Sequence, residues 1–265
     1  MSVPDIGLGT SGNDDPDQCA ASVEAAVEEG YRHIDTAQMY DNEAAVGRGV
    51  ARADVPREEL FVATKVHPEN LAYDDVLATA EESLDRLGLE YVDLLYVHWP
   101  IAAYDAADTL PAFDELYDEG VARNVGVSNF TPDLVAEAAD LLDAPIAANQ
   151  VEIHPLLPPR DDLVETCDRH GVDLVAYAPF CRREALDVPE VTAVAEKHDV
   201  SPARTILAWL LEKDCKPIPK ATGRDHIADN YAALDLVLDD EDVARIDSIE
   251  RRYRKFDPEG SPWRE

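Results

Sequence analysis

Short apolar runs alternate with longer amphipathic stretches along almost the whole chain. The runs are rich in β-branched and aromatic residues, which is typical of strands, whereas the stretches between them repeat apolar residues every three or four positions, which is typical of helices. Val76, Ala80 and Leu87, for example, share one face of such a helix. We predict eight strands, at residues 6–10, 31–37, 60–66, 92–99, 122–129, 146–153, 172–179 and 215–220.

Helix starts are marked by a capping side chain followed by proline. The pairs at 15–16, 131–132 and 201–202 read Asp, Thr or Ser followed by Pro. The first residue of each pair can accept a hydrogen bond from a free backbone N–H, and proline is well accommodated in the first helical turn. These pairs therefore predict where three of the helices begin.

Strands that alternate with helices form parallel βαβ units, and eight such units in 265 residues predict a (β/α)8 TIM barrel rather than an open doubly wound sheet. Three helices are additions to the eight units. Two lie before the eighth strand, at 188–199 and 202–213, and one lies near the C-terminus, at 239–250. No linker or low-complexity tract interrupts the pattern, so we expect one domain over residues 1–265.

The composition is that of a folded but strongly acidic protein. The chain has 23 Lys and Arg against 56 Asp and Glu, a formal net charge of −33, and is 46% hydrophobic. That apolar content excludes an intrinsically disordered acidic chain. The spread of carboxylates argues against binding to nucleic acid or to anionic membranes. Since the chain has neither a bilayer-length apolar run nor a signal-peptide pattern, we expect a cytoplasmic protein. We also expect a monomer whose partner is a small molecule.

Lysine is scarce among the cationic residues, since only six of the 23 are Lys. A chain with this much self-repulsion needs screening by salt, and the Debye length falls to about 3 Å at molar salt. We therefore hypothesise a salt-rich cytoplasm, as in a halophilic archaeon; an unusually acidic protein of a mesophile is the alternative.

The four cysteines have no metal-ligand spacing, so we expect reduced thiols and no metal site.

Polar residues follow the predicted strands at positions that are unusual for a strand end. In a (β/α)8 barrel the chemistry is located at the carboxyl ends of the strands. Those ends carry Asp35, Tyr40, Lys65, His98, Ser128, Asn129, Gln150, Tyr177 and Lys220.

Four of these residues can be combined into a site for carbonyl reduction that needs no metal. A tyrosine is a useful general acid if its pKa, ordinarily about 10, is lowered toward neutrality. Lys65 would favour the phenolate of Tyr40, and Asp35 would hold that lysine in place while softening its effect. His98 could donate a hydrogen bond to the substrate oxygen. A buried Asp–Lys pair beside a packed tyrosine is also a common structural feature, which is the alternative.

Seven sequence words occur in a fixed order. They are GYRHIDTAQMYDNEAAVG (30–47), TKVHP (64–68), VDLLYVHWP (92–100), GVSNF (126–130), NQVEIHP (149–155), AYAPF (176–180) and IPKA (218–221). Together they resemble the aldo-keto reductase family over essentially the whole chain, and in particular its short-looped prokaryotic branch, similar to 2,5-diketo-gluconate and methylglyoxal reductases.

The resemblance implies an oxidoreductase that moves a hydride from NADPH, with NADH as a second cofactor, to an aldehyde, a 2-oxoaldehyde or a keto sugar. By matching positions, Tyr40 donates the proton, Lys65 and Asp35 lower its pKa, and His98 orients the carbonyl. The residues that match the family's cofactor contacts are Gly9, Thr10, Asp35, Ser128, Asn129, Gln150, Tyr177, Ala178, Phe180, Lys220, Ala221, Thr222, Arg224, His226 and Asn230.

The chain departs from the family pattern at the phosphate contacts. Ala178 and Ala221 stand where hydroxyl side chains are common, and His226 stands where the pattern has an arginine. An imidazole is a poorer partner for a 2′-phosphate than a guanidinium is. Arg224 could substitute and Lys220 is retained, so we expect NADPH to bind with only modest discrimination against NADH.

The loops after the fourth and seventh strands and the C-terminal tail are short, so we expect an open, permissive substrate pocket. The residues that could form its walls are Ser11, Tyr40, His98, Trp99, Phe130, Phe180 and Trp263. Simple packing is the alternative for Trp99 and Trp263. We expect His33 to face the helices, away from the site.

A second function is open at this stage. The same fold could serve as a catalytically silent nucleotide-binding barrel, a redox sensor or a regulatory subunit. An intact set of Asp35, Tyr40, Lys65 and His98 argues against it.

Overall fold

Eight parallel strands, each hydrogen-bonded to the next in sequence, form one sheet in this computed structural model, which describes residues 2–264. All eight predicted strands are confirmed, each trimmed by up to three residues at an end, because the apolar pattern runs on into loops beyond the hydrogen-bonded ladder. The strands are β1 Gly7–Gly9, β2 His33–Asp35, β3 Phe61–Val66, β4 Leu94–Val97, β5 Val125–Ser128, β6 Ile146–Glu152, β7 Asp173–Tyr177 and β8 Cys215–Pro217.

The sheet closes where β1 meets the end of β8. Gly9 donates its N–H to the carbonyl of Pro219 at 3.1 Å and forms a parallel bridge with Lys220. A Cβ atom on Gly9 would lie only 2.5 Å from the carbonyl oxygen of Ile218, so this approach requires glycine. The barrel, and not an open sheet, is therefore the correct architecture.

Helices cover the outside of the barrel. They are α1 Pro16–Glu29, α2 Glu43–Arg52, α3 Tyr73–Leu87, α4 Ala106–Asp118, α5 Pro132–Leu141, α6 Asp161–His170, α7 Pro189–His198, α8 Pro202–Glu212, α9 Arg224–Tyr231 and α10 Asp240–Asp247. α7, α8 and α10 are the predicted additions. Asp15 and Ser201 cap α1 and α8 through their side chains, whereas Thr131 makes no such bond at the start of α5.

Two apolar layers hold the fold together. The larger lies between the strands and the helices, and the smaller fills the barrel interior. The interior cluster comprises Val3, Phe61, Ala63, Leu94, Tyr96, Ala148, Val175 and Ile218. Because Val3 belongs to it, the N-terminal residues help to fill the barrel.

His33 points into the barrel, so the expectation that it faces the helices is wrong. Residues two apart on a strand share a face, and His33 therefore lies on the same side as Asp35. Its ring meets Phe61 edge to face at 5.2 Å. Burial lowers the pKa of His33 to about 4, and neither ring nitrogen has a hydrogen-bond partner within residues 2–264.

All four cysteines are buried free thiols, as predicted. In the described part of the chain, no helix combines the length and the apolar character needed to cross a bilayer.

Candidate active site

Four predicted side chains meet at the carboxyl ends of the first strands. Asp35 ends β2, Lys65 lies in β3, and His98 follows β4 directly. Tyr40 comes from a 3-10 turn, Gln38–Tyr40, that follows β2. Neighbouring parallel strands thus bring together residues that are up to 63 positions apart.

Asp35 and Lys65 form a buried ion pair. Lys65 Nζ lies 2.5 Å from Asp35 Oδ1, and the two side chains are 0% and 2% exposed. The ammonium also donates to the carbonyl of Thr36 at 2.8 Å, while the second carboxylate oxygen accepts from Gln150 Nε2 at 2.7 Å. Both charges are therefore compensated on more than one side, which fixes the lysine in place.

The Tyr40 phenol lies between this pair and His98. Its oxygen is 3.5 Å from Lys65 Nζ, and its ring meets the imidazole edge to face at 5.7 Å. The imidazole is buried, and its Nδ1 has no hydrogen-bond partner within residues 2–264. A phenol, an ammonium and an imidazole are thus held next to each other.

The pKa of Tyr40 is raised, which corrects the expectation that Lys65 and Asp35 together lower it. Burial raises the pKa most, Lys65 opposes that rise, and Asp35 adds to it. A carboxylate favours the neutral phenol, so its direct effect has the opposite sign to that of the ammonium. At neutral pH the phenol keeps its proton and is ready to act as an acid.

The other two titrating groups also have defined charges. Burial lowers the pKa of Lys65, but Asp35 and Tyr40 outweigh burial, so the pKa is raised and the ammonium stays charged. Burial, followed by the charge of Lys65, holds the pKa of His98 well below its usual value. The imidazole is therefore neutral, with one nitrogen that donates and one that accepts.

Gln38 holds the turn that carries Tyr40, and the sequence reasoning missed it. Its Nε2 donates to the carbonyl of Thr79 at 3.0 Å and to Ser83 Oγ at 3.1 Å, both on α3. Its Oε1 accepts from the backbone N–H of His67 at 2.8 Å. The only signal in the sequence is a polar residue inside the word that contains Tyr40.

Thr10 and Asn42 tie the first strand to the same turn. Thr10 Oγ1 donates to the carbonyl of Asp35 at 2.9 Å, and Asn42 Nδ2 donates to the carbonyl of Thr10 at 2.9 Å. Asn42 Oδ1 accepts from Thr36 Oγ1 at 2.8 Å. Gly9 and Thr10, predicted as cofactor contacts, thus also close the barrel and support Asp35.

Ser128, Asn129, Gln150 and Tyr177 come together on the far side of the barrel mouth. Ser128 Oγ donates to the carbonyl of Gln150 at 2.8 Å, and Asn129 Nδ2 donates to the carbonyl of His98 at 3.0 Å. Tyr177 donates its O–H to Asn129 Oδ1 at 2.9 Å and keeps its ring half-exposed. Amide and hydroxyl groups beside a partly open aromatic ring fit a flat heterocycle that carries an amide.

The C-terminal tail is fastened to this group. Both oxygens of the buried Glu152 accept backbone N–H groups, those of Lys255 at 2.7 Å and Phe256 at 2.9 Å. The Phe256 ring meets Tyr177 at 5.6 Å. Trp263 Nε1 donates to the carbonyl of Asn129 at 2.9 Å, so the tail reaches the strand ends.

One buried group within residues 2–264, Glu152, His154 and Cys181, has side chains of the metal-ligand type. His154 Nε2 lies 2.9 Å from Glu152 Oε1, the same oxygen that accepts the Lys255 N–H. Burial raises the pKa of the Cys181 thiol to about 11. The carboxylate is already satisfied, so this group serves to anchor the tail.

The predicted phosphate contacts surround the start of α9. Lys220, Arg224 and His226 are exposed, whereas Asn230 is buried. Gly223 occupies the N-cap position, so no side chain caps this helix and its first N–H groups can bind an anion.

Lys220 is the one lysine that makes no salt bridge within residues 2–264. The others pair as Lys65 with Asp35, Lys197 with Asp239 and Asp242, Lys213 with Asp247, Lys216 with Asp5 and Asp173, and Lys255 with Glu184. In a protein with this excess of carboxylates, an unpaired lysine beside an uncapped helix start fits an anionic phosphate. The donor groups of this chain therefore suit both ends of a nicotinamide dinucleotide.

Four further residues predicted as cofactor contacts flank Tyr177 and Lys220, and among them only Thr222 carries a hydroxyl. Ala178 has a left-handed backbone, with φ 49°, and Phe180 is half-buried against the outer apolar layer. Ala221 is buried and Thr222 is half-buried between Lys220 and α9.

The candidate pocket walls differ in accessibility. Ser11 is exposed and forms a hydrogen bond that opposes the rise in the pKa of Tyr40. Trp99 is only 8% exposed. Phe130 is fully buried against Tyr104, whose ring lies at 5.5 Å, and so it does not form an open wall.

Comparisons with known proteins agree with this geometry. Residues 5–182 and 181–251 match the model of the aldo/keto reductase family. A methylglyoxal reductase of Salmonella typhi is 40% identical over 263 residues, which is 98% of each chain. A glyoxal reductase of Bacillus subtilis is 38% identical over 254 residues, 96% of this chain and 91% of that protein. The structure of a Bombyx mori aldo-keto reductase in complex with NADP superimposes with a TM-score of 0.89 at 34% identity, covering 96% of this chain and 92% of the other.

Proposed function

The chain belongs to the aldo/keto reductase family, and from this premise we propose that it reduces small aldehydes and 2-oxoaldehydes, methylglyoxal among them, and keto sugars. It is an NAD(P)H-dependent reductase of carbonyl compounds. The observation that carries the proposal is the buried Asp35–Lys65 pair with the Tyr40 phenol 3.5 Å from the ammonium.

We assign the proton-donor role to Tyr40. The nicotinamide, when bound, supplies the hydride for the carbonyl carbon. The carbonyl oxygen then needs a proton, and a phenol with a raised pKa holds one at neutral pH. Once the proton leaves, the ammonium of Lys65 stabilises the phenolate. Asp35 keeps that ammonium charged and in position.

His98 is assigned the orientation of the carbonyl. Its ring is neutral and lies against Tyr40, so it can donate one hydrogen bond to the same oxygen that Tyr40 protonates. Two donors that converge on one oxygen define the direction of the C=O bond. Ser11, Trp99 and the tail residue Trp263 are the proposed walls of a small and permissive pocket.

The cofactor is proposed to lie across the barrel mouth. Ser128, Asn129 and Gln150 are the partners of the nicotinamide amide, and Tyr177 stacks on its ring. Lys220 and the start of α9 hold the phosphates. We propose NADPH as the principal cofactor with modest discrimination against NADH, because His226 is an imidazole rather than a guanidinium.

Turnover of a carbonyl panel tests the function. NADPH oxidation, followed at 340 nm with methylglyoxal or glyceraldehyde in molar KCl, is expected to depend on the carbonyl. Binding of NADPH without turnover of any carbonyl would favour the silent nucleotide-binding barrel instead.

We also propose that the protein acts as a cytoplasmic monomer adapted to high salt. With a net charge of −33, the carboxylates of the folded chain repel one another, and salt screens that repulsion. The melting temperature should therefore rise between dilute buffer and molar KCl. An unchanged melting temperature over this range would contradict the adaptation to salt.

A further inference from the structure

The start of α9 carries an arginine that is already paired with a carboxylate. Arg224 Nη1 lies 2.6 Å from Glu28 Oε2. Glu28 belongs to the last turn of α1, which packs beside α9. Glu28 first, and then Glu24 and Glu29, raise the pKa of Arg224, so three carboxylates act on this guanidinium.

We propose that Glu28 lowers the preference of this enzyme for NADPH over NADH. By binding Arg224, it withdraws a guanidinium from the 2′-phosphate of NADPH and presents a carboxylate to the adenosine ribose. The inference rests on the proposed function, because it requires a dinucleotide whose adenosine end lies at α9.

The chemistry of the two cofactors gives the direction of the effect. NADH has a 2′-hydroxyl, which can donate a hydrogen bond to a carboxylate. NADPH has a 2′-phosphate instead, which a carboxylate repels and an arginine binds. Glu28 therefore favours NADH relative to NADPH, and a free Arg224 would do the reverse.

Lys220 is the cation that can bind a phosphate while Glu28 holds Arg224. It makes no salt bridge within the described residues, so it can bind a phosphate without first releasing a carboxylate. Arg224 must give up Glu28 to do the same. NADPH can thus bind through Lys220 while the additional preference that Arg224 would supply is suppressed.

The exposure of the pair sets the size of the effect. The side chains of Arg224 and Glu28 are 70% and 48% exposed. An ion pair this open to solvent is weak and can be removed without loss of the fold. We therefore expect a change of several-fold in cofactor preference rather than an absolute switch.

The test measures binding and does not need turnover. Dissociation constants for NADP⁺ and NAD⁺ are measured by titration calorimetry on the wild type, Glu28→Gln, Arg224→Gln and the double variant, at a salt concentration where circular dichroism shows each to be folded. Glu29→Gln is the matched control, because it removes the same charge from the same helix end without touching the Arg224 contact.

Glu28→Gln is expected to tighten NADP⁺ binding about fivefold, the size of one partly exposed ion pair, and to leave NAD⁺ binding unchanged or weaker. Glu29→Gln should change NADP⁺ binding less than about twofold. The gain should disappear in the double variant, because Arg224 is the group that Glu28 releases.

Two results would overturn the inference while leaving the proposed function intact. One is an equal gain in Glu28→Gln and Glu29→Gln, which would assign the effect to the general acidic field. The other is a gain that survives in the double variant. If the wild type bound neither dinucleotide, the proposed function would itself be contradicted, and this inference with it.

Discussion

Two cations at the barrel mouth lie in opposite surroundings. Lys65 is fully buried and 2.5 Å from Asp35, whereas Lys220 is exposed and makes no salt bridge within residues 2–264. The buried pair has a fixed geometry that salt screens only weakly, and the exposed cation is free to meet an anion. One cation is thus held in a fixed position beside Tyr40, and the other is open to solvent beside the start of α9.

The largest effect is expected from replacing Tyr40, the proposed general acid beside the buried Asp35–Lys65 pair. Tyr40→Phe keeps the ring but removes the proton, so kcat for carbonyl reduction should fall about 10³-fold, within the range for loss of a general acid. Binding of NADP⁺ should stay within about twofold, since the cofactor contacts lie elsewhere. Steady-state kinetics and titration calorimetry measure the two effects. A kcat close to that of the wild type would remove Tyr40 from the mechanism.

Stability should separate the two lysines. Lys65→Met leaves Asp35 buried without its cation, so the free energy of unfolding should drop by about 3–5 kcal/mol. Lys220→Met should change it by less than about 0.5 kcal/mol, because this residue is exposed and unpaired. Urea denaturation followed by circular dichroism gives both values. Similar losses in the two variants would contradict the contrast between them.

Salt should change cofactor binding near the exposed Lys220 more than it changes the chemical step beside the buried Lys65. A protein with net charge −33 repels NADPH, so the KM for NADPH should fall a few-fold, roughly two- to fivefold, as KCl screens the field. The value of kcat at saturating cofactor should change less. A KM that rises with salt would show that Lys220 and its neighbours dominate the local field.

The fold was predictable because its signal repeats. Eight apolar runs separated by helical periods specify the barrel, and tight capping pairs such as Asp15-Pro16 mark helix starts. The strands are shorter than the sequence predicts because side-chain patterns continue where the hydrogen-bonded ladder stops. The expectation for His33 is wrong because residues two apart on a strand share a face, which places His33 on the side of Asp35.

The site was predictable in membership but not in energetics. The sequence words identify Asp35, Lys65 and Tyr40 as members of one site, but they carry no information on burial. Burial is the largest cause of the raised pKa of Tyr40. Contacts between distant helices were likewise invisible. Glu28 meets Arg224 from 196 positions away, and the role of Gln38 depends on the backbone of α3.

The pH dependence of kcat for carbonyl reduction tests the central claim most directly. A general acid must be protonated to act, so a raised pKa moves the loss of activity upward in pH. We predict a kcat that is flat through neutrality and falls only above about pH 10, the ordinary pKa of a tyrosine. His98 should not add a loss near its ordinary value of about 6.5, because its pKa lies well below that value. A fall in kcat with a midpoint near neutrality, as expected if Lys65 lowered the pKa of Tyr40 toward neutral pH, would contradict this prediction.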